Sequence, residues 1–184
     1  MDGIKYAVVT DKSCKQVKCV AVVTDWLCTG LQIVLADYSI QFQPNLLKLG
    51  LYGHNKGGLI AFAIALGHAG TSLKFSALIG IDLDLVAGCS PNFQLPPHIL
   101  TYVPYSFDLG IPVSVFGTSL GDELKEGCIM AKPCALDGVN HIEFFTECKP
   151  PCYYFLAKEY GHMDMLNDNA VSGCACASGD IPSD

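Results

Sequence analysis

At 184 residues, 51% of them hydrophobic, the chain has the length of one domain with a sizeable core. A formal net charge of −7, with eleven basic residues scattered along the chain, argues against nucleic acid as a partner. No uninterrupted apolar run reaches membrane-spanning length. The opening stretch MDGIKYAVVTDKSC has neither the basic-then-apolar pattern of a secretory signal nor an Arg-rich transit pattern, so no transit or signal peptide is visible.

Gln16 to Leu35 predicts a helix, with apolar residues at Val20, Val23, Leu27, Leu31 and Val34 in steps of three or four, weakened by Gly30. Leu46 to Tyr52 is a short apolar run with strand character. Gly53 to Gly58 holds three glycines in six residues, which marks a tight turn. Leu59 to Gly67 is apolar almost throughout and predicts a buried helix. After a loop, Phe75 to Ile81 predicts a second buried strand that ends at Asp82, with Asp84 close behind. Residues 87–110 are rich in proline and polar groups and predict a long surface excursion. Ile111 to Phe116 predicts a third strand, followed by Gly117-Thr118-Ser119-Leu120-Gly121. Residues 122–151 predict irregular structure, with a short helix about His141 to Cys148. Cys152 to Ala157 predicts a fourth strand, which runs into Gly161-His162-Met163-Asp164.

The ten cysteines are at 14, 19, 28, 89, 128, 134, 148, 152, 174 and 176. Neither Cys148-x3-Cys152 nor Cys174-x-Cys176 has the usual spacing of a zinc ribbon, so no metal is expected. Disulfides and free buried thiols both fit the last third. Nothing in the sequence asks for a cofactor.

The central motif is Gly53-His54-Asn55-Lys56-Gly57. Strand, glycine turn and helix form the setting of a nucleophile elbow, G-x-S-x-G, in which the central side chain points into a site from a strained backbone. Asn55 stands where the serine would be. Asparagine tolerates a positive φ, so the turn can survive the exchange, but its amide is not a competent nucleophile. Read alone, the frame also fits any strand–turn–helix of an α/β protein. Two further residues narrow it. Asp82 follows a buried strand, and His162 lies in a loop after a later one. Asn55, Asp82 and His162 therefore stand in the chain order Ser…Asp…His of the α/β-hydrolases. His162 would be the general base and Asp82 its orienting acid, with Asp84 the nearby competitor. His54 is read as packing or hydrogen-bonding beneath the elbow. His68 follows a helix end, His98 and His141 have no evident partner, and Asp164 reads as a turn acid.

At this point several stretches resemble plant chlorophyllase: LYGHNKGG around Asn55, SLKFSALIGID at 72–82, LTYVPYSFDLGIPVSVFGTSLG at 100–121 and DGVNHIEFFTECKPPCYYFLAKEYGHMDML at 137–166. The resemblance covers most of residues 1 to about 176. It implies an α/β fold, a mainly parallel sheet flanked by helices. On this reading residues 1–184 are a single, partial α/β-hydrolase domain lacking the first strands, with 177–184 a polar tail. It also implies hydrolysis of the phytyl ester of chlorophyll to chlorophyllide and phytol, or of a related hydrophobic ester. By the same resemblance the nucleophile, acid and base positions fall on Asn55, Asp82 and His162, and the backbone amide of Lys56 would supply one oxyanion donor. A chloroplast or other plant membrane-associated location, with possible peripheral membrane association, follows the family. The elbow that reads GHSRGG in that family is GHNKGG here, which predicts impaired turnover. A non-catalytic pigment binder and a non-functional fragment are the alternative expectations.

Overall fold

The apolar runs assemble into one parallel sheet. The structure is a computed structural model, and it describes residues 13–84, 97–123, 133–166 and 179. Among the described residues the sheet has four strands in the order β1-β2-β3-β4: β1 Leu49–His54, β2 Phe75–Ile81, β3 Val113–Thr118 and β4 Cys152–Ala157. All three pairings are parallel. Helix α1 spans Ser13–Asp37, α2 spans Lys56–Ala65 between β1 and β2, and α3 spans His141–Glu147 between β3 and β4. Parallel neighbours need such crossovers, because a tight turn cannot return the chain to the same end of the sheet.

Strands β2 and β4 coincide with the apolar runs Phe75 to Ile81 and Cys152 to Ala157. The others shift for local reasons. Leu46–Lys48 forms a 3-10 turn rather than strand, because the Asn45 side chain accepts from the Leu47 amide at 3.1 Å. The strand therefore starts at Leu49. Pro112, which has no N–H, sits before the ladder, and β3 begins at Val113. Helix α2 begins at Lys56 and takes Gly57 and Gly58 into its first turn, where the sequence predicts a turn outside the helix. A Cβ on Gly58 would lie 2.1 Å from Leu83 Cδ2 and 2.7 Å from the Gly53 carbonyl oxygen. That glycine lets α2 lie against β1 and the residues after β2.

The core forms where α2 and α3 cover one side of the sheet. Leu59 and Phe62 from α2, Leu78, Val113 and Val115 from the strands and Phe144 from α3 are all buried. Phe62 meets Phe144 edge-on with ring centroids 4.9 Å apart. On the other side Tyr52, Ile79, Phe116 and Phe155 are exposed, the last two stacked at 4.8 Å.

Helix α1 packs on α2 with Val17, Ala21 and Thr24 buried, while Val20, Val23 and Val34 of the predicted stripe are exposed. The helix is apolar nearly all round, so periodicity does not select its buried face; contact with α2 does. By length and composition alone the segment Lys15–Asp37 could cross a membrane, with a mean hydropathy of 1.8 over its best window. Counting uninterrupted runs misses it, because charged residues dilute the stretch without lowering its mean enough. Here it is a helix of the fold, linked to the loop after α2 by hydrogen bonds from the Ser72 amide and hydroxyl to Asp25.

Candidate active site

Four parallel strands place their carboxyl ends on one rim, where α/β proteins build their sites. Asn55 follows β1, Asp82 follows β2, Thr118 ends β3, and His162 lies in a turn after β4. The residues that sequence reasoning proposes from widely separated stretches thus meet at one edge.

Asn55 sits between β1 and α2 with φ +51° and ψ −123°. Such a backbone is sparsely populated for a residue with a Cβ and costs on the order of 1–3 kcal/mol. The turn holds it from both ends. The Asn55 amide donates to the Ile81 carbonyl at 3.0 Å, and its own carbonyl accepts from Leu59 at 3.1 Å. Gly53 is required beneath it, since a Cβ there would lie 2.3 Å from the Gly57 carbonyl carbon. Gly57 itself faces open space, so the closeness resides in Gly53 and Gly58.

From this turn the Asn55 side chain reaches His162: Nδ2 lies 2.7 Å from Nε2. On the far side of the imidazole, Nδ1 lies 2.7 Å from Asp82 Oδ2. A carboxylate can only accept, so Nδ1–H donates to it; Nε2 then accepts from the Asn55 amide. This is the neutral tautomer a general base needs. His162 and Asp82 are almost wholly buried. Gly161 and Asp164 shape the turn that carries His162, with the Gly161 amide donating to Asp164 Oδ2 at 2.6 Å.

Asp82 is held by more than the histidine. Thr118 donates its amide to Oδ1 at 2.9 Å and its hydroxyl to Oδ2 at 2.8 Å. Burial by itself would raise the pKa of this carboxyl, but the hydrogen bonds from His162 and Thr118 outweigh it and hold Asp82 below the usual carboxylate range. Asp84, the competitor in sequence, is buried nearby in an antiparallel bridge to Asn140, and it is Asp82 that bonds to His162.

Two other histidines surround the pair. His54 donates from Nε2 to the His162 carbonyl oxygen at 3.0 Å, and the two rings lie tilted against each other with centroids 4.3 Å apart. Burial first, and then the neighbouring His162, push its pKa down to about 4. His141, to which the sequence assigns no partner, is buried at the start of α3, with Nε2 3.4 Å from Asp82 Oδ1. Lys56 opens α2, so its backbone N–H is one of the first-turn amides that have no partner within the helix. Among the described residues no group of histidine, cysteine and acidic side chains could hold a metal ion.

The same stretches match known proteins. A sequence profile of the Chlorophyllase family covers residues 5–182. This chain belongs to the chlorophyllase family. It is 42% identical over 184 residues to Chlorophyllase-2 of Arabidopsis thaliana, covering 95% of this chain and 56% of that protein. It is 49% identical over 138 residues to Chlorophyllase-1 of the same plant, covering 70% and 41%. The chain spans about half the length of the curated relatives it matches. Among solved structures, the esterase domain of a Rhodothermus marinus protein aligns at a TM-score of 0.39 and 13% identity over 88% of this chain and 77% of that one, too loose a likeness to carry an argument. Membership of the chlorophyllase family, together with the parallel sheet and its crossover helices, makes this a partial α/β-hydrolase fold.

Within that chlorophyllase fold, two groups around Asp82 are not proposed from sequence. Thr118 carried a signal, a small polar residue at the carboxyl end of a buried strand. His141 carried a weaker one. Asn140 caps α3, accepting from the Ile142 amide at 2.9 Å, while Glu143 reaches back to the Asn140 amide at 3.0 Å. That N-x-x-E pattern starts a helix at His141. Only the folded sheet, which brings Asp82 from the end of β2 beside it, shows what the histidine faces.

Proposed function

We propose that this chain carries the relay of a chlorophyllase-like carboxylic ester hydrolase, with turnover impaired because Asn55 fills the nucleophile position. In this reading Asp82 is the acid, His162 the base, and the Lys56 amide one donor to the oxyanion. The substrate class is chlorophyll or a related hydrophobic ester, reached at chloroplast or other plant membranes by peripheral contact. The observation that carries the reading is the continuous chain from Asn55 Nδ2 to His162 to Asp82, with both links at 2.7 Å.

The chemistry follows from which atom ends that chain. A hydroxyl at position 55 would bond to the ester carbonyl as its proton passed to His162 Nε2. Asp82 would balance the charge that develops on the imidazole, and backbone amides would hold the carbonyl oxygen as it became an anion. The Asn55 nitrogen donates to the same Nε2, but its lone pair is delocalised into the adjacent carbonyl and forms no bond to carbon. Loss of the nucleophile from such a unit costs on the order of 10⁶ in rate.

The test is Asn55→Ser, assayed by chromatography for chlorophyllide released from chlorophyll in detergent micelles. The native chain should release none above background. The variant should exceed it by at least about 10³-fold, and adding His162→Ala should remove the gain. Native protein that hydrolyses chlorophyll in a manner abolished by His162→Ala would overturn the impairment. A folded Asn55→Ser variant without any gain would overturn the relay. Pigment binding by the native chain without chlorophyllide is the outcome expected of a non-catalytic binder on the same scaffold.

A further inference from the structure

The carboxylate at the centre of the site faces two imidazoles. His162 takes Oδ2, as described. On the other side His141 Nε2 lies 3.4 Å from Oδ1, the oxygen that also accepts from the Thr118 amide. This second imidazole is not there by crowding alone. The capped start of α3 sets its backbone. Gly117 clears its volume, because a Cβ there would lie 2.4 Å from His141 Cε1 and Nδ1. Tyr154 from β4 holds its other nitrogen, with the hydroxyl 3.0 Å from Nδ1 and the phenol ring stacked on the imidazole at 5.8 Å.

The protonation of His141 follows from these partners. Burial lowers its pKa, against the opposing pull of Asp82, then Asp122 and a hydrogen bond to the Thr118 backbone. The ring is therefore neutral near neutral pH. Asp82 accepts only, so the proton belongs on Nε2, and Nδ1 accepts from the Tyr154 hydroxyl. The titratable groups that face His141 are Asp82, Asp122, Tyr154 and His162.

We propose that His141 is a positioning residue for the triad acid: with Tyr154 behind it, it steadies Asp82 from the side opposite His162 and moderates the charge that His162 feels. This rests on Asp82 and His162 acting as acid and base. At 3.4 Å the contact is longer than the three bonds from Thr118 and His162, so its effect is a modulation of their strength. Removing the Nε2 donor leaves the carboxylate less stabilised. The carboxylate then holds the protonated form of His162 more tightly, and the proton affinity of His162 rises.

The experiment uses the full chain and two variants, His141→Phe, which keeps a ring but no donor, and His141→Gln, whose amide can reach the same place. The readout is the titration of the His162 ring by nuclear magnetic resonance, assigned by its loss in His162→Ala. In His141→Phe the His162 midpoint should move upward, a gain of about three- to tenfold in proton affinity. His141→Gln should restore most of the native value. Circular dichroism and thermal melts show whether each variant keeps its fold. A folded His141→Phe variant with an unmoved His162 midpoint would overturn the proposal. So would His141→Gln behaving like His141→Phe while both stay folded. If His141→Phe does not fold, Tyr154→Phe, which removes the hydroxyl behind Nδ1, should move the midpoint in the same direction, and no movement there overturns the proposal. The titration needs no turnover, so failure of Asn55→Ser to hydrolyse ester leaves this result readable by itself.

Discussion

Acid should unfold this protein in the range where a half-buried histidine would have to take up charge. His54 sits under the elbow, its ring centroid 4.3 Å from that of His162 and its Nε2–H bonded to the His162 carbonyl. Burial, reinforced by His162, takes its pKa from 6.5 to about 4. The folded value is thus below the unfolded one, so the unfolded chain binds the proton first. The stabilisation is complete above pH 6.5, declines as the pH falls from 6.5 towards 4, and changes no further below that. At about 1.4 kcal/mol per pH unit, that gap amounts to about 3 kcal/mol. For a chain of this size about 3 kcal/mol is a fall of roughly 10 °C in melting temperature. His141, also lowered by burial, adds in the same direction. Asp82, held below the usual carboxylate range, is stabilising above its unfolded pKa and loses that contribution only as pH falls through its lowered folded value. Thermal melts followed by circular dichroism at pH 7.5, 6.5, 5.5 and 4.5 would trace the loss. His54→Gln keeps a donor for the His162 carbonyl and has nothing to titrate, so its melting temperature should vary less across that range. The reasoning is refuted if His54→Gln loses as much as the native chain, or if the native chain loses nothing.

Two further outcomes follow from buried groups outside the elbow. Glu147 is buried and accepts from the Thr101 amide and hydroxyl, the Tyr102 amide and the Ser106 hydroxyl, so it clamps residues 101–106 onto the end of α3. Glu147→Ala should cost about 3 kcal/mol in urea unfolding, because several donors lose one acceptor together, and a loss under about 1 kcal/mol would contradict the clamp. Cys148 and Cys152 are free thiols on a cavity of about 270 Å³ that Tyr105, Phe145 and Pro150 also line. The hydrogen bond to Cys152 and burial push the Cys148 thiol up, while the same bond lowers Cys152. Iodoacetamide under native conditions should therefore label Cys152 at least about tenfold faster than Cys148, and peptide mass spectrometry showing the reverse order would refute the pairing.

How much of the site was legible depended on how local each signal was. The elbow could be read because three glycines, an apolar run on each side and the odd residue Asn55 are contiguous. Asp82 could be read because it directly follows an apolar strand run, and His162 because it lies in the short loop after another. The choice between Asp82 and Asp84 could not be read from spacing, since both follow the same strand. It was made by direction: the hydrogen bond from Nδ1 reaches Asp82, while Asp84 bridges to Asn140. The buried face of α1 could not be read from the sequence for a related reason. An almost uniformly apolar helix has no periodic contrast, so the neighbour that covers it decides which residues are inside.

Alternating apolar runs and crossovers, the glycine turn and the order of Asn55, Asp82 and His162 along the chain are properties of covalent sequence. They establish a parallel α/β scaffold with Asn55 at the turn between its first strand and the helix that follows. Which groups surround Asp82 is a property of packing. Thr118, His141 and Tyr154 come from β3, α3 and β4, and their meeting at one carboxylate requires the strand register, the space above Gly117 and the capped start of α3 together. Hydrogen bonds act over about 3 Å, a distance that residues far apart in sequence reach only when the chain between them has folded.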